Sequence, residues 1–161
     1  MLCGNTGPVQ GFDTDDANVL NGPPCSTGSN LAGYTVVDCN VWIGSFASGR
    51  HIKCAVYTDA QVKLCESAGV TLTGGAGNKT IPLSGCGTLT PNSRYWVAFN
   101  TDDLTLTYGS LLASACGGSA GDSRYAGATC GSTCQNPQPS PWNATAGRCP
   151  FRMYLTLRPL P

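Results

Sequence analysis

The stretch from Tyr34 to Tyr57, YTVVDCNVWI then GSFASGR then HIKCAVY, decides the fold class. In its first run Val37, Cys39, Val41 and Ile43 fall on one face and Asp38, Asn40 and Trp42 on the other, the period-two pattern of a half-buried strand. The run GSFASGR is rich in turn residues and ends that strand. The second run places Ile52, Cys54 and Val56 inward, with His51, Lys53 and Tyr57 outward. Further short strands are expected over 62–64, 69–73, 80–83, 94–100, 104–108 and 150–157. The last sets Phe151, Met153, Leu155 and Leu157 against Arg152, Tyr154, Thr156 and Arg158. Strands of this length at this spacing predict an all-β antiparallel sandwich or barrel.

On the N-terminal side, residues 1–33 carry Gly, Pro, Asn and Asp at a density that interrupts any regular element. They predict an extended N-terminal arm, with the sandwich domain over 34–161. Such an arm either contacts a neighbour or wraps its own domain. A chain of 161 residues is one domain, and folding at that size buries roughly 68–70% of the unfolded surface, enough for a core without cross-links. Charged residues are 11%, net charge is zero, and Gly and Pro number 21 and 11. That composition disfavours long amphipathic helices. Neutrality argues against nucleic acid as a partner, since phosphate contacts need a basic face. No apolar run approaches membrane-spanning length.

The ten cysteines are Cys3, Cys25, Cys39, Cys54, Cys65, Cys86, Cys116, Cys130, Cys134 and Cys149. With no C-x-x-C spacing and a single histidine, zinc is disfavoured and disulfides in an oxidising compartment are expected. The chain opens Met1-Leu2 without the basic and apolar regions of a signal peptide. That favours a virion component released by lysis as the route to the oxidising space. Cys3 and Cys25 either close on each other or pin the arm to the body. Cys54 and Cys65 flank a hairpin centred on residues 58–61 and form a natural couple, although that register sets Val56 opposite Lys63 and so demands a bulge or a different pairing. Cys130 and Cys134 enclose a small loop, with Cys116 and Cys149 as competing partners. Ten cysteines admit about 945 pairings, so the oxidised state is expected and the map stays open.

The runs HIKCAVYTD, IPLSGCGTLTPNSRYWVAFNTDD, YGSLL, DSRYAGATCGS, NPQPSPWNATAG and FRMYLTL follow one another in a particular order. Over residues 34–158 that order resembles a jelly-roll module recurring in phage tail, fibre and head-decoration proteins and in some bacterial extracellular proteins. Leu89 to Ala98, LTPNSRYWVA, is the closest match. The cysteines and the arm depart from the general pattern. The resemblance implies a jelly roll that binds surfaces, either other proteins of an assembly or glycans. Outward aromatics on such a sheet offer rigid amphipathic area, which makes Trp42, Tyr57 and Trp96 the binding candidates. The alternative is that they cover the ends of the sandwich as partial core. Trp142, in the Pro-rich run, is a candidate plug over one edge.

Catalytic patterns are weak. Gly117 to Gly121 fits G-x-S-x-G but lacks a strand-turn-helix setting, and His51 lies outward on a distant strand. One glutamate and eight aspartates give a glycosidase little to work with, and Asp102-Asp103 reads as a solvated turn. Asp13 to Asn18, DTDDAN, begins like a calcium loop but lacks the glycine and glutamate of the EF-hand, so it admits only a structural calcium of another kind. Asn78-Lys79-Thr80 and Asn143-Ala144-Thr145 are glycosylation sequons. These readings converge on a non-enzymatic bacteriophage structural protein, without cofactor. It would be a capsid decoration (cement) protein or a small tail or fibre component, found in the virion or outside the cell. Its partners would be other virion proteins and itself, as a trimer, with the arm across a neighbour. The alternatives are a secreted carbohydrate-binding module, with a glycan as partner, and a bacterial extracellular filament subunit.

Overall fold

The computed structural model describes residues 1–14, 18–29, 33–114 and 117–161. Half of the calcium-like run, residues 15–17, and Cys116 lie outside them. The described residues hold no helix. In chain order the strands are β1 (Leu2–Gly4), β2 (Gly11–Thr14), β3 (Val19–Gly22), β4 (Pro24–Ser26), β5 (Tyr34–Ser45), β6 (His51–Thr58), β7 (Lys63–Glu66) and β8 (Val70–Thr71). There follow β9 (Gly77–Pro82), β10 (Thr88–Leu89), β11 (Arg94–Thr101), β12 (Thr107–Ser110), β13 (Ser123–Gly127), β14 (Thr145–Gly147) and β15 (Met153–Pro159).

They form two antiparallel sheets. Sheet A runs β1-β15-β5-β12-β2, with β9 and β10 also paired to β5; sheet B runs β14-β13-β3-β11-β6-β7, with β4 on β11 and β8 on β6. The main core lies between them, where Cys39, Val41 and Ile43 of β5 and Leu155 of β15 meet Cys54 and Val56 of β6 and Phe99 of β11. The chain is therefore an all-β sandwich of two layers.

Three of the disulfides join one layer to the other: Cys3 in β1 to Cys25 in β4, Cys39 in β5 to Cys54 in β6, and Cys65 in β7 to Cys86 between β9 and β10. A fourth closes Cys130 on Cys134. None of the described cysteines is free, Cys149 included. Four bridges point to an oxidising, extracellular environment. The expected Cys54–Cys65 couple is corrected. A bulge between Val56 and Tyr57 sets Cys65 opposite Val56. Cys54 instead faces Ser67, whose N–H donates to the Cys54 carbonyl and whose hydroxyl accepts from its N–H, so its sulfur is directed across the core to Cys39.

The N-terminal arm is also corrected. Residues 1–33 contribute four strands to both layers: β1 on β15, β2 on β12, β4 on β11, and β3 inserted between β11 and β13. Leu20 in β3 is fully buried. Each strand is only three or four residues long, so pairing rather than propensity holds it. In β5 the alternation holds for Cys39, Val41 and Ile43 but not for Val37. Asp38 pairs with Thr156 and Val36 with Leu157, a bulge that turns Val36 inward and leaves Val37 37% exposed. The strand expected over 104–108 begins later, at Thr107, with Leu104 out in solvent and Leu106 buried.

Candidate functional site

Tyr57, as alternation predicts, lies on the outer face of sheet B together with Trp96, but that face is roofed. The segment 128–144 crosses it and seals a second core of Leu20, Ala55, Tyr57, Trp96, Ala98, Trp142 and Ala144. Trp142 stacks on Tyr57 with ring centroids 5.0 Å apart, and the Tyr57 hydroxyl donates to the Pro139 carbonyl at 3.0 Å. Burial, reinforced by the negative charge of Glu66, holds that phenol protonated well above the usual tyrosine range. At 0% and 1% exposure, Tyr57 and Trp96 offer no platform to a ligand. Trp142, 2% exposed, covers Tyr57 of β6 and donates its backbone N–H to the Gln61 carbonyl between β6 and β7.

The roof is latched by charge. Glu66 accepts from Lys53 Nζ at 3.2 Å, from Lys63 Nζ at 3.1 Å and from the Gln138 N–H at 2.7 Å. The two lysines also donate to the Asn136 and Gln138 carbonyls. Burial opposes ionisation of Glu66, but the Gln138 N–H and the two ammonium groups outweigh it and hold the carboxyl below its usual range. Asn100, fully buried in β11, adds bonds to Ala128 O and Gln138 Oε1. At the rim, Asp59 accepts from Arg94 Nε and Trp96 Nε1, and the Arg94 bond leads in lowering its pKa. The Arg124 guanidinium lies 4.7 Å from the Trp96 ring centroid.

His51 and the aspartate pair form a turn clamp. His51 Nδ1 lies 2.9 Å from Asp102 Oδ2, and the His51 N–H donates to Asp102 Oδ1 at 2.7 Å. Asp103 is 1% exposed, which corrects the expected solvated turn. Burial opposes its ionisation, yet the N–H groups of Ala47 and Thr105, the Thr105 hydroxyl and Arg50 hold its carboxyl below the usual range. In the G-x-S-x-G run the Ser119 N–H donates to Asp122 Oδ2 and the Asp122 N–H to the Ser119 carbonyl. That is a local turn with no helix behind it. Among the described residues no three His, Cys, Asp or Glu side chains gather as a metal site.

Two surfaces stay open. The outer face of sheet A carries Trp42, half-buried against Gly109, with the Arg152 guanidinium 4.6 Å from its ring centroid. Beside it Asn40 Oδ1 accepts from Asn78 Nδ2 and Thr80 Oγ1, while Asn40 Nδ2 donates to Thr156 Oγ1. Phe12 lies over Gly44, where a β-carbon would come within 2.6 Å of its ring, and is 55% exposed. Of the three aromatics expected to bind, Trp42 alone is accessible, and neither of the others shares its face. The second surface is a cleft of about 460 Å³ where the β2–β12 edge of sheet A splays from β3, β13 and β14 of sheet B. Asp13, Tyr125 and Arg148 border it. Asp13 opens the calcium-like run and Tyr125 lies in the run DSRYAGATCGS, but no motif joins the three, and only the fold assembles them. Compared with known proteins, the chain matches no family model, no curated protein and no solved structure.

Proposed function

We propose that the chain is a structural component of a bacteriophage particle, a capsid decoration (cement) protein or a small tail or fibre component, built as a jelly roll that acts through protein–protein contacts. The observation that carries this reading is the inequality of the two outer faces. Sheet B is covered by the chain's own roof, whereas sheet A presents Phe12, Val37, Leu2 and half-buried Trp42 on a layer stapled to its partner sheet by disulfides. A rigid face with exposed apolar side chains suits a lasting protein contact, because little conformational freedom is lost on docking. With residues 1–33 built into the sheets, the docking role passes from the expected arm to the sheet A face. A symmetric trimer places that face against a second copy or a capsid neighbour. Cosedimentation of the oxidised protein with particles lacking it tests the role. Saturable binding at a fixed copy number per particle is expected, and failure to sediment would remove it. The secreted carbohydrate-binding reading keeps one observation in its favour, the cleft at the open end of the sandwich.

A further inference from the structure

We propose that the cleft between the β2–β12 edge of sheet A and strands β3, β13 and β14 of sheet B binds a neutral pyranose unit of a glycan, with Tyr125 as the stacking wall and Arg148 and Asp13 as the polar walls. The inference rests on the extracellular reading and is independent of the particle contact.

Its volume, about 460 Å³, lies within the range of small-ligand sites. Tyr125 is 48% exposed, and its ring rests beside Gly147, where a β-carbon would stand 3.2 Å from Cδ1. Glycine there lets the ring lie against the backbone with its other side toward the opening. An aromatic wall of this kind suits the C–H-rich face of a sugar.

The cationic inventory singles out Arg148. The chain has nine Lys and Arg residues. Lys53, Lys63 and Arg94 are in ion pairs, Arg50 and Lys79 donate to carbonyls, and Arg124 and Arg152 lie over tryptophans. Among the described residues Arg148 and Arg158 take part in none of these, and Arg148 borders the cleft. Its guanidinium brings a fork of N–H donors suited to adjacent hydroxyls. On the facing edge the Asp13 carboxylate is oriented by the Thr14 N–H at 2.9 Å and the Tyr108 hydroxyl at 2.9 Å. A wall with donors on one side and a carboxylate on the other matches hydroxyl groups, which both donate and accept. An anionic ligand would gain from Arg148 but meet like charge at Asp13.

The test is saturation-transfer NMR and calorimetry on the oxidised full-length protein. The probes are methyl glycosides and short oligomers of glucose, galactose, mannose and N-acetylglucosamine, with glucuronate and inorganic phosphate as anionic arms. At least one neutral sugar should bind. Tyr125→Ala and Arg148→Ala, both exposed positions, should each weaken it by about tenfold or more, whereas Trp42→Ala should leave it unchanged. Unaltered thermal unfolding of the two variants separates loss of the site from loss of the fold. No binding by any neutral sugar would overturn the proposal. So would sugar binding indifferent to Tyr125→Ala, or phosphate or glucuronate binding that depends on Arg148 alone. Particle cosedimentation, read separately on the same variants, keeps failure of this site distinct from failure of the structural role.

Discussion

Glu66 is the one glutamate of the chain, and three donors from two segments converge on it. Its carboxyl is held below the usual range in the folded protein, so the stability it contributes is present above the unfolded value of about 4.3 and is lost as pH falls through the folded value. Glu66→Gln should cost about 2–3 kcal/mol at neutral pH, since it leaves Lys53 almost buried without its counter-charge. Urea unfolding at pH 7 and pH 3 checks both parts: the gap between wild type and variant should narrow in acid. The outward direction of Tyr57 was legible from alternation, and burial as partial core was the alternative to a binding role for Tyr57 and Trp96. What covers them was not legible, because the covering residues lie far away in sequence, Pro139 being 82 positions from Tyr57. The run Tyr95 to Phe99, YWVAF, did hold a signal. Five consecutive apolar residues mark a strand covered on both faces, and β11 is such a strand.

The long strands β5, β6, β11 and β15 could be read from the chain because each spans enough residues for its pattern to repeat. The strands β1 to β4 could not, since Gly and Pro interrupt them and their partners lie up to 154 residues away, as between Leu2 and Thr156. The Cys54–Cys65 expectation failed on register: Cys65 lies opposite Val56, two residues from Cys54, and the bulge after Val56 supplies one of the two. Chain-entropy reasoning assigns about 3 kcal/mol to the Cys39–Cys54 bridge and about 2 kcal/mol to the shorter Cys130–Cys134 loop. Removing each pair as a double alanine variant and measuring urea unfolding without reductant should reproduce that order. Strand β3 gives a sharper prediction. A β-carbon on Gly22 would meet the Val97 carbonyl oxygen and stand 2.6 Å from Ala98 Cα. Gly22→Ala should therefore destabilise by about 3 kcal/mol or more, read as a shift in urea midpoint at constant slope.

Across the molecule, the two-layer architecture and its oxidised state were legible, whereas the unequal outer faces were not, because they depend on where one loop lands. The integration of residues 1–33 into both sheets predicts the outcome of truncation. Deleting residues 1–33 removes four strands and the whole Cys3–Cys25 bridge, so no cooperative unfolding transition should remain in circular dichroism. A folded truncated domain would contradict the structural role assigned to β1 to β4. The docking face is tested most directly by quantitative cosedimentation of particles with wild-type protein, the double variant Phe12→Ala/Trp42→Ala and Tyr125→Ala. Particle binding should weaken by about tenfold or more in the double variant and stay at the wild-type level in Tyr125→Ala. Undiminished binding by a folded double variant would contradict the assignment of sheet A as the face that meets the particle.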